Sequence, residues 1–192
     1  MREALKGLKR YFVTPRHSKH RIFTWEPLEV VPDSALVVFA RDDDYFFGVL
    51  HSRIHEVWAR RKGTQVREAE SGFRYTPQTT FETFPLPWPP GQEPANNPKV
   101  EAVAVAAREL VEKRNAWRNP PGATDNDLKE KTLTNLYNKN PQWLLNLHKA
   151  LDAAVFAAYG WPDTLTDEEI LERLLALNYE RANKAKSAGT QG

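Results

Sequence analysis

The residues of this chain best suited to chemistry are cations and hydroxyls standing at turns and at the ends of elements. Pro15-Arg-His-Ser-Lys-His20 is a basic loop between two strand-like stretches, Tyr11–Thr14 and Arg21–Trp25. Arg16, Ser18 and Lys19 on such a loop, with Arg21 beside it, suit phosphates or base edges, because arginine and lysine pair with guanine acceptors. The same composition also suits an ordinary solvated hairpin loop. Ser52-Arg53 reads as a helix start, where free backbone N–H groups next to a cation form a ready phosphate site. Arg60 near the end of that helix and Arg74 further on complete the candidate set.

Other chemistries find less support. His51 and His55 stand at the i, i+4 spacing of zinc ligands, but no third ligand is placed with them, nor with His17 and His20. Asp42-Asp43-Asp44 has the composition of a turn, and adjacent acids in a turn point different ways. No serine sits in a nucleophile-elbow context. Cysteine is absent, which excludes disulfides and thiolate metal sites. No metal is expected.

The elements that must position these residues fall into two parts. Residues 2–9 have one apolar side and suit a short helix. Ala35–Ala40 is a continuous apolar run, expected as a buried central strand, and pairs across the aspartate turn with a second strand at Tyr45–Leu50. Gly48 in that run marks a bulge or a close approach. The helix after Ser52 carries Ile54, Val57 and Trp58 inward and closes at Gly63. Residues 65–72 read as an exposed loop, and Arg74–Trp88 as an extended, proline-rich segment along the sheet. Gly91–Asn97 is the clearest boundary.

Beyond it the period is helical. Asn97-Pro98 opens one helix, which ends at Asn119-Pro120-Pro121-Gly122. A capping box at Thr124 and Asp127 opens a second helix carrying Leu128, Leu133, Leu136 and Tyr137. Asn140-Pro141 opens a third, stopped by Gly160-Trp161-Pro162. A second capping box at Thr166 and Glu169 precedes Ile170, Leu174, Leu175 and Leu177. The expected architecture is α+β: a small mixed β-sheet domain over residues 1–92, then a C-terminal helical bundle over residues 98–184, with 185–192 a disordered tail.

Charge is distributed unevenly. Met1–Trp25 holds seven basic residues against one acid, and His51–Arg74 six against three, in a chain whose net charge is only +2. Basic density gathered in the β-rich half is the footprint of a phosphate-backbone binder. No apolar run approaches the length needed to span a bilayer, and the N-terminus lacks a signal-peptide core. A cytoplasmic protein with no membrane association is expected.

The motifs carry a resemblance. GVLHSRIHEVWAR (Gly48–Arg60) followed by RYTPQTTFETFPLPWP (Arg74–Pro89) resembles the target-recognition region of MmeI-like DNA methyltransferases, the single-chain type IIG (type IIL) restriction-modification enzymes. RYFVTPRHSKHRIFTW (Arg10–Trp25) and VVPDSALVVFARDDDYFFG (Val30–Gly48) resemble the same region in order. TLTNLYNKNPQWLLNLH and AAYGWP resemble the family's C-terminal helical segment. More distantly, the helix start and the Phe-Pro-Leu-Pro exit are similar to specificity subunits of type I systems.

The resemblance implies a target-recognition domain that reads double-stranded DNA as part of a DNA adenine-N6 methyltransferase, at Arg16, Ser18, Lys19, Arg21, Ser52, Arg53, Arg60 and Arg74. It implies S-adenosylmethionine in the full-length family enzyme but no cofactor in this chain, since no glycine-rich cofactor loop occurs here. Asn119-Pro120-Pro121-Gly122 has only three letters of the catalytic Asn-Pro-Pro-aromatic motif, and it terminates a helix. The chain alone is therefore expected not to be catalytic. It reads as part of a longer enzyme, or as a specificity subunit beside a separate methyltransferase or nuclease chain. A protein-interaction module without DNA affinity is the alternative.

Overall fold

A computed structural model describes residues 3–65 and 72–189. After a 3-10 turn at Glu3–Leu5, all that forms of the expected first helix, come strands β1 (Arg10–Pro15), β2 (His17–Ser18), β3 (Thr24–Pro27) and β4 (Leu36–Phe39). Helices α1 (Asp44–His51) and α2 (Arg53–Lys62) follow, then β5 (Thr64–Gln65), β6 (Phe73–Arg74) and the short α3 (Pro77–Thr80). The remainder is helical: α4 (Pro98–Arg118), α5 (Asp125–Lys129), α6 (Leu133–Lys139), α7 (Gln142–Tyr159) and α8 (Asp167–Gly189).

The class is α+β, but instead of one mixed sheet there are two small antiparallel ones, ordered β3-β1-β4 and β2-β6-β5. The central strand of the first is β1, whose Tyr11, Phe12 and Val13 are buried. β4 lies at the edge instead of the expected centre. Phe12 anchors an aromatic cluster, stacked on Phe39 at 4.9 Å and edge-on to Phe47 at 5.4 Å.

Tyr45–Leu50 is helical, not the second strand of a hairpin. Its aromatic and β-branched residues favour a strand locally, but Asp43 takes the N-cap position and accepts from the Phe46 N–H at 2.8 Å. Every residue from Tyr45 to His51 is buried, so tertiary packing outweighs local preference. Gly48 makes this possible. A Cβ there would lie 2.8 Å from Val103 Cγ1 and 3.1 Å from Ala107 Cβ, so glycine allows α1 to lie close against α4.

One apolar core runs from Phe12 and Phe39 through α1 and α2 to Leu110, Leu151 and Leu174, so the β-rich and helical parts pack on each other. The segment Gly91–Asn97 joining them is irregular. Asn97 caps α4, Thr124 and Asp127 form their capping box, and Thr166 and Glu169 exchange the same pair of bonds. The expected helix from Thr124 through Tyr137 is two helices, because Thr132 caps α6 afresh, and Leu128 is left exposed. At the C-terminus α8 continues to Gly189, so residues 185–189 are helical where a disordered tail is expected. Residues 66–71 of the expected loop lie outside the described residues. No described helix is long and apolar enough to cross a membrane.

Candidate nucleic-acid interface

The second sheet is a three-strand patch only two residues wide. Register aligns His17 with Arg74 and Arg74 with Thr64, and all three side chains are exposed in a row. The next row reverses direction, as strand geometry requires, and Phe73 points inward. Gly72 sets the approach of β6 to β2. Its φ is +79°, and a Cβ would stand 2.0 Å from the Ser18 carbonyl oxygen.

Arg21 holds this patch from beneath, while Arg60 lies exposed against the same Phe73 ring. Arg21 is buried, with its guanidinium over the Phe73 and Tyr75 rings at 4.6 and 5.0 Å. It donates to Thr14 Oγ1 at 3.1 Å, to the Phe73 carbonyl at 3.1 Å and to the Pro15 carbonyl, which ties the first sheet to the second. Burial pulls its pKa down to about 10, still far above neutrality, so the cation persists. Arg60 covers Phe73 from another side at 5.3 Å and is bonded to Glu56 at 2.6 Å. Arg21 therefore belongs to the scaffold and is not available to a ligand. Sequence alone cannot distinguish a buried arginine from an exposed one in so basic a stretch.

The helix start at Ser52-Arg53 also differs from expectation. Ser52 does begin α2, but its hydroxyl is buried and donates back to the Val49 carbonyl at 2.7 Å. The Arg53 N–H is taken by Asp152 Oδ1 at 2.7 Å, and its guanidinium by Asp167 at 2.5 Å. Asp152 thus occupies the position a phosphate would take, so the expected anion site is already filled from α7.

Of the remaining candidates, Arg16 donates from Nε to the Ser34 carbonyl at 2.8 Å, on the surface. Ser18 Oγ donates to the His20 carbonyl at 2.5 Å, and exposed Lys19 reaches Asn138 Oδ1 on α6 at 3.1 Å. Arg16, Lys19, Arg60 and Arg74 thus remain at the surface, with Arg60 paired to Glu56. His17 and Thr64 join Arg74 without having been singled out for this role. The signal available for them is the in-out alternation of Phe73 and Arg74, which puts Arg74 and its cross-strand neighbours outward.

A second polar group lies between the two parts of the chain. The Phe23 N–H donates to His51 Nδ1 at 3.2 Å, and His51 Nε2 lies 3.2 Å from both Tyr137 Oη and the Arg114 guanidinium. Tyr137 in turn reaches His148 Nε2 at 2.9 Å. Buried Arg114 donates to Tyr137 Oη at 3.2 Å and to the Phe23 carbonyl at 3.0 Å. Burial, reinforced by the Arg114 charge, lowers His51 well below the usual histidine range and His148 to about 4. Burial raises Asp152 to about 6. His55 is separately buried, donating from Nδ1 to the Leu50 carbonyl at 2.7 Å and accepting from Tyr75 Oη at 3.0 Å. The i, i+4 histidines are therefore structural members of two different networks. No group of three metal-ligating side chains occurs among the described residues.

No family model matches the chain. It is 30% identical over 145 residues to DNA methyltransferase A of Bacillus subtilis (strain 168), a match covering 73% of this chain and 14% of that protein. Among solved structures it matches the type IIL restriction-modification enzyme MmeI in complex with DNA. The TM-score is 0.71 at 21% identity, covering 93% of this chain and 22% of the MmeI chain. The chain thus spans less than a quarter of the length of either protein. In sequence motifs and in fold, this chain is similar over nearly its whole length to one region of an MmeI-like restriction-modification enzyme.

Proposed function

We propose that the chain is the DNA-reading portion of a restriction-modification DNA methyltransferase, and that it meets double-stranded DNA through the open side of the second sheet. The observation that carries this reading is the exposed row His17–Arg74–Thr64, flanked by Arg16 and Lys19, in a fold shared with MmeI, whose structure was determined with DNA. Arg74 offers a planar fork for guanine or phosphate, and Thr64 a hydroxyl that suits either. Arg21 fixes the underside, so the row is held on a rigid base. Catalysis and S-adenosylmethionine binding belong, on this reading, to protein outside this chain, attached to it or separate from it.

The test is a titration of the chain with duplex DNA across a range of salt. Phosphate contacts give a linear fall of log affinity with log salt, and replacing one phosphate-contacting cation by alanine reduces the slope by about one unit. Arg74→Ala is expected to weaken binding, whereas Arg118→Ala, in the last turn of α4, is not. Absence of duplex binding at low salt would overturn the reading.

A further inference from the structure

The turn between β2 and β3, which carries Lys19 beside the exposed row, is fastened to the helical part at Asn138 on α6. Asn138 Oδ1 accepts from Lys19 Nζ at 3.1 Å and lies 2.8 Å from His20 Nε2, across 119 and 118 positions of sequence. A lysine ammonium can only donate, so the Asn138 oxygen faces the turn, and His20 donates to it from Nε2. The His20 ring also lies 5.9 Å from the Tyr137 ring. Within the turn Ser18 Oγ donates to the His20 carbonyl at 2.5 Å, and the next residue, Arg21, enters the scaffold beneath.

The helix that receives these bonds is itself fixed. α6 is seven residues long, capped at its start by Thr132 and closed at Asn140, whose φ of +43° is left-handed. Tyr137, the neighbour of Asn138, has its Oη held by Arg114 at 3.2 Å and His148 at 2.9 Å. Tyr137 thus ties α6 to α4 and α7, and Asn138 ties the turn to α6. By contrast, β2 is the outer strand of its sheet and pairs with β6 over two residues only. So short a pairing does little to fix the path of the chain beyond Ser18, and the Asn138 bonds complete it.

We propose, resting on the DNA-reading role given above, that Asn138 is a positioning residue. It sets the turn so that His17 and Lys19 meet the duplex in one register, and it does not touch the duplex itself. The helical part thereby takes a share in choosing the sequence. An ammonium has three donors, so Lys19 keeps the others for a phosphate while Asn138 holds one. Removing the Asn138 side chain therefore takes away no cation and instead widens the range of positions that the turn occupies. Charge sets the affinity for any duplex and its salt dependence, whereas the geometry of base contacts sets the preference among sequences. At Asn138 the two are separable.

Two measurements on the full chain test this. Without DNA, nitrogen NMR of the neutral His20 ring reports whether Nε2 holds the proton that it donates to Asn138. Asn138→Ala is expected to move that signal, and Asn138→Asp to keep it, because a carboxylate oxygen accepts the same two bonds. With a duplex library carrying a randomised central block, Asn138→Ala is expected to lower the preference for the best sequences about three- to tenfold, the net worth of about one hydrogen bond. Its salt slope is expected to stay unchanged. Asn138→Asp is expected to restore the preference while its charge weakens binding to every sequence alike. Circular dichroism should not change in either variant, since Asn138 is exposed. An unchanged preference in Asn138→Ala overturns the proposal. So does a reduced salt slope in that variant, since a phosphate contact is then what was lost. So does a lost preference in either variant with the His20 signal intact, since Asn138 then touches a base itself. Failure of the unaltered chain to bind any duplex sinks the DNA-reading role, a result distinct from duplex binding whose preference ignores Asn138.

Discussion

The two three-stranded sheets use their surfaces in opposite ways. β3-β1-β4 buries Tyr11, Phe12 and Val13 on its central strand and stacks aromatic rings against α1. β2-β6-β5 has strands of two residues, one buried ring held between two guanidinium groups, and a row open to solvent. The first sheet carries packing energy. The second carries little of its own and relies on Arg21 to fasten it to the first. A surface can thus remain polar and exposed, provided that its neighbour is rigid.

Substitutions should separate the two sheets cleanly. Phe12→Ala removes the ring at the centre of the aromatic cluster and is expected to cost about 3–5 kcal/mol in denaturant unfolding. A loss below about 1 kcal/mol would show that this sheet is not the stabilising one.

Acid should act next most strongly, through the polar junction. The folded histidines are held neutral, His148 with a pKa near 4 and His55 near 3, against about 6.5 in the unfolded chain. Their stabilisation is full above about pH 6.5 and is lost as pH falls towards those folded values. Asp152, raised to about 6, runs the other way and offsets part of the loss between about pH 6 and 4. Unfolding midpoints followed over this range should fall with acidity. His148→Gln should flatten the fall by up to about 1.4 kcal/mol per pH unit. An unchanged profile in the variant would remove His148 from the account.

Gly48→Ala forces a Cβ against Val103, Ala107 and Leu151, and is expected to cost about 1–3 kcal/mol. The smallest effect on stability belongs to the second sheet. Arg74→Ala should change unfolding by less than about 0.5 kcal/mol while weakening DNA binding. A large destabilisation would place Arg74 in the scaffold beside Arg21 and blur the contrast.

Much of the helical part was legible because caps are local. Asn97-Pro98, Thr124 with Asp127, and Thr166 with Glu169 each announce a helix within four residues, and the structure carries all three. Tyr45–Leu50 was not, because its strand-like composition reflects complete burial, and burial depends on α4 and α7 far along the chain. The candidate surface was half legible. Arg74 stands exposed as its alternation with Phe73 implies, but Arg21 and Ser52 are buried and Arg53 is engaged by Asp152 and Asp167. These partners come from α7 and from the start of α8, and nothing local to Arg53 reveals them. The network joining His51, Arg114, Tyr137 and His148 was invisible for the same reason, since each residue sits on a different helix.

The register of the second sheet also acts as a ruler. Adjacent strands lie about 4.8 Å apart, so His17, Arg74 and Thr64 span about 10 Å from end to end. Base pairs rise about 3.4 Å each, so a row of that width matches a word of about three letters. On the same proposed role, any longer target takes its other letters from the flanking loops, from protein outside this chain, or from how readily the duplex bends. On the DNA-reading role proposed above, exchanging the three side chains of the row should rewrite a block of about three letters and leave the rest of the target unchanged.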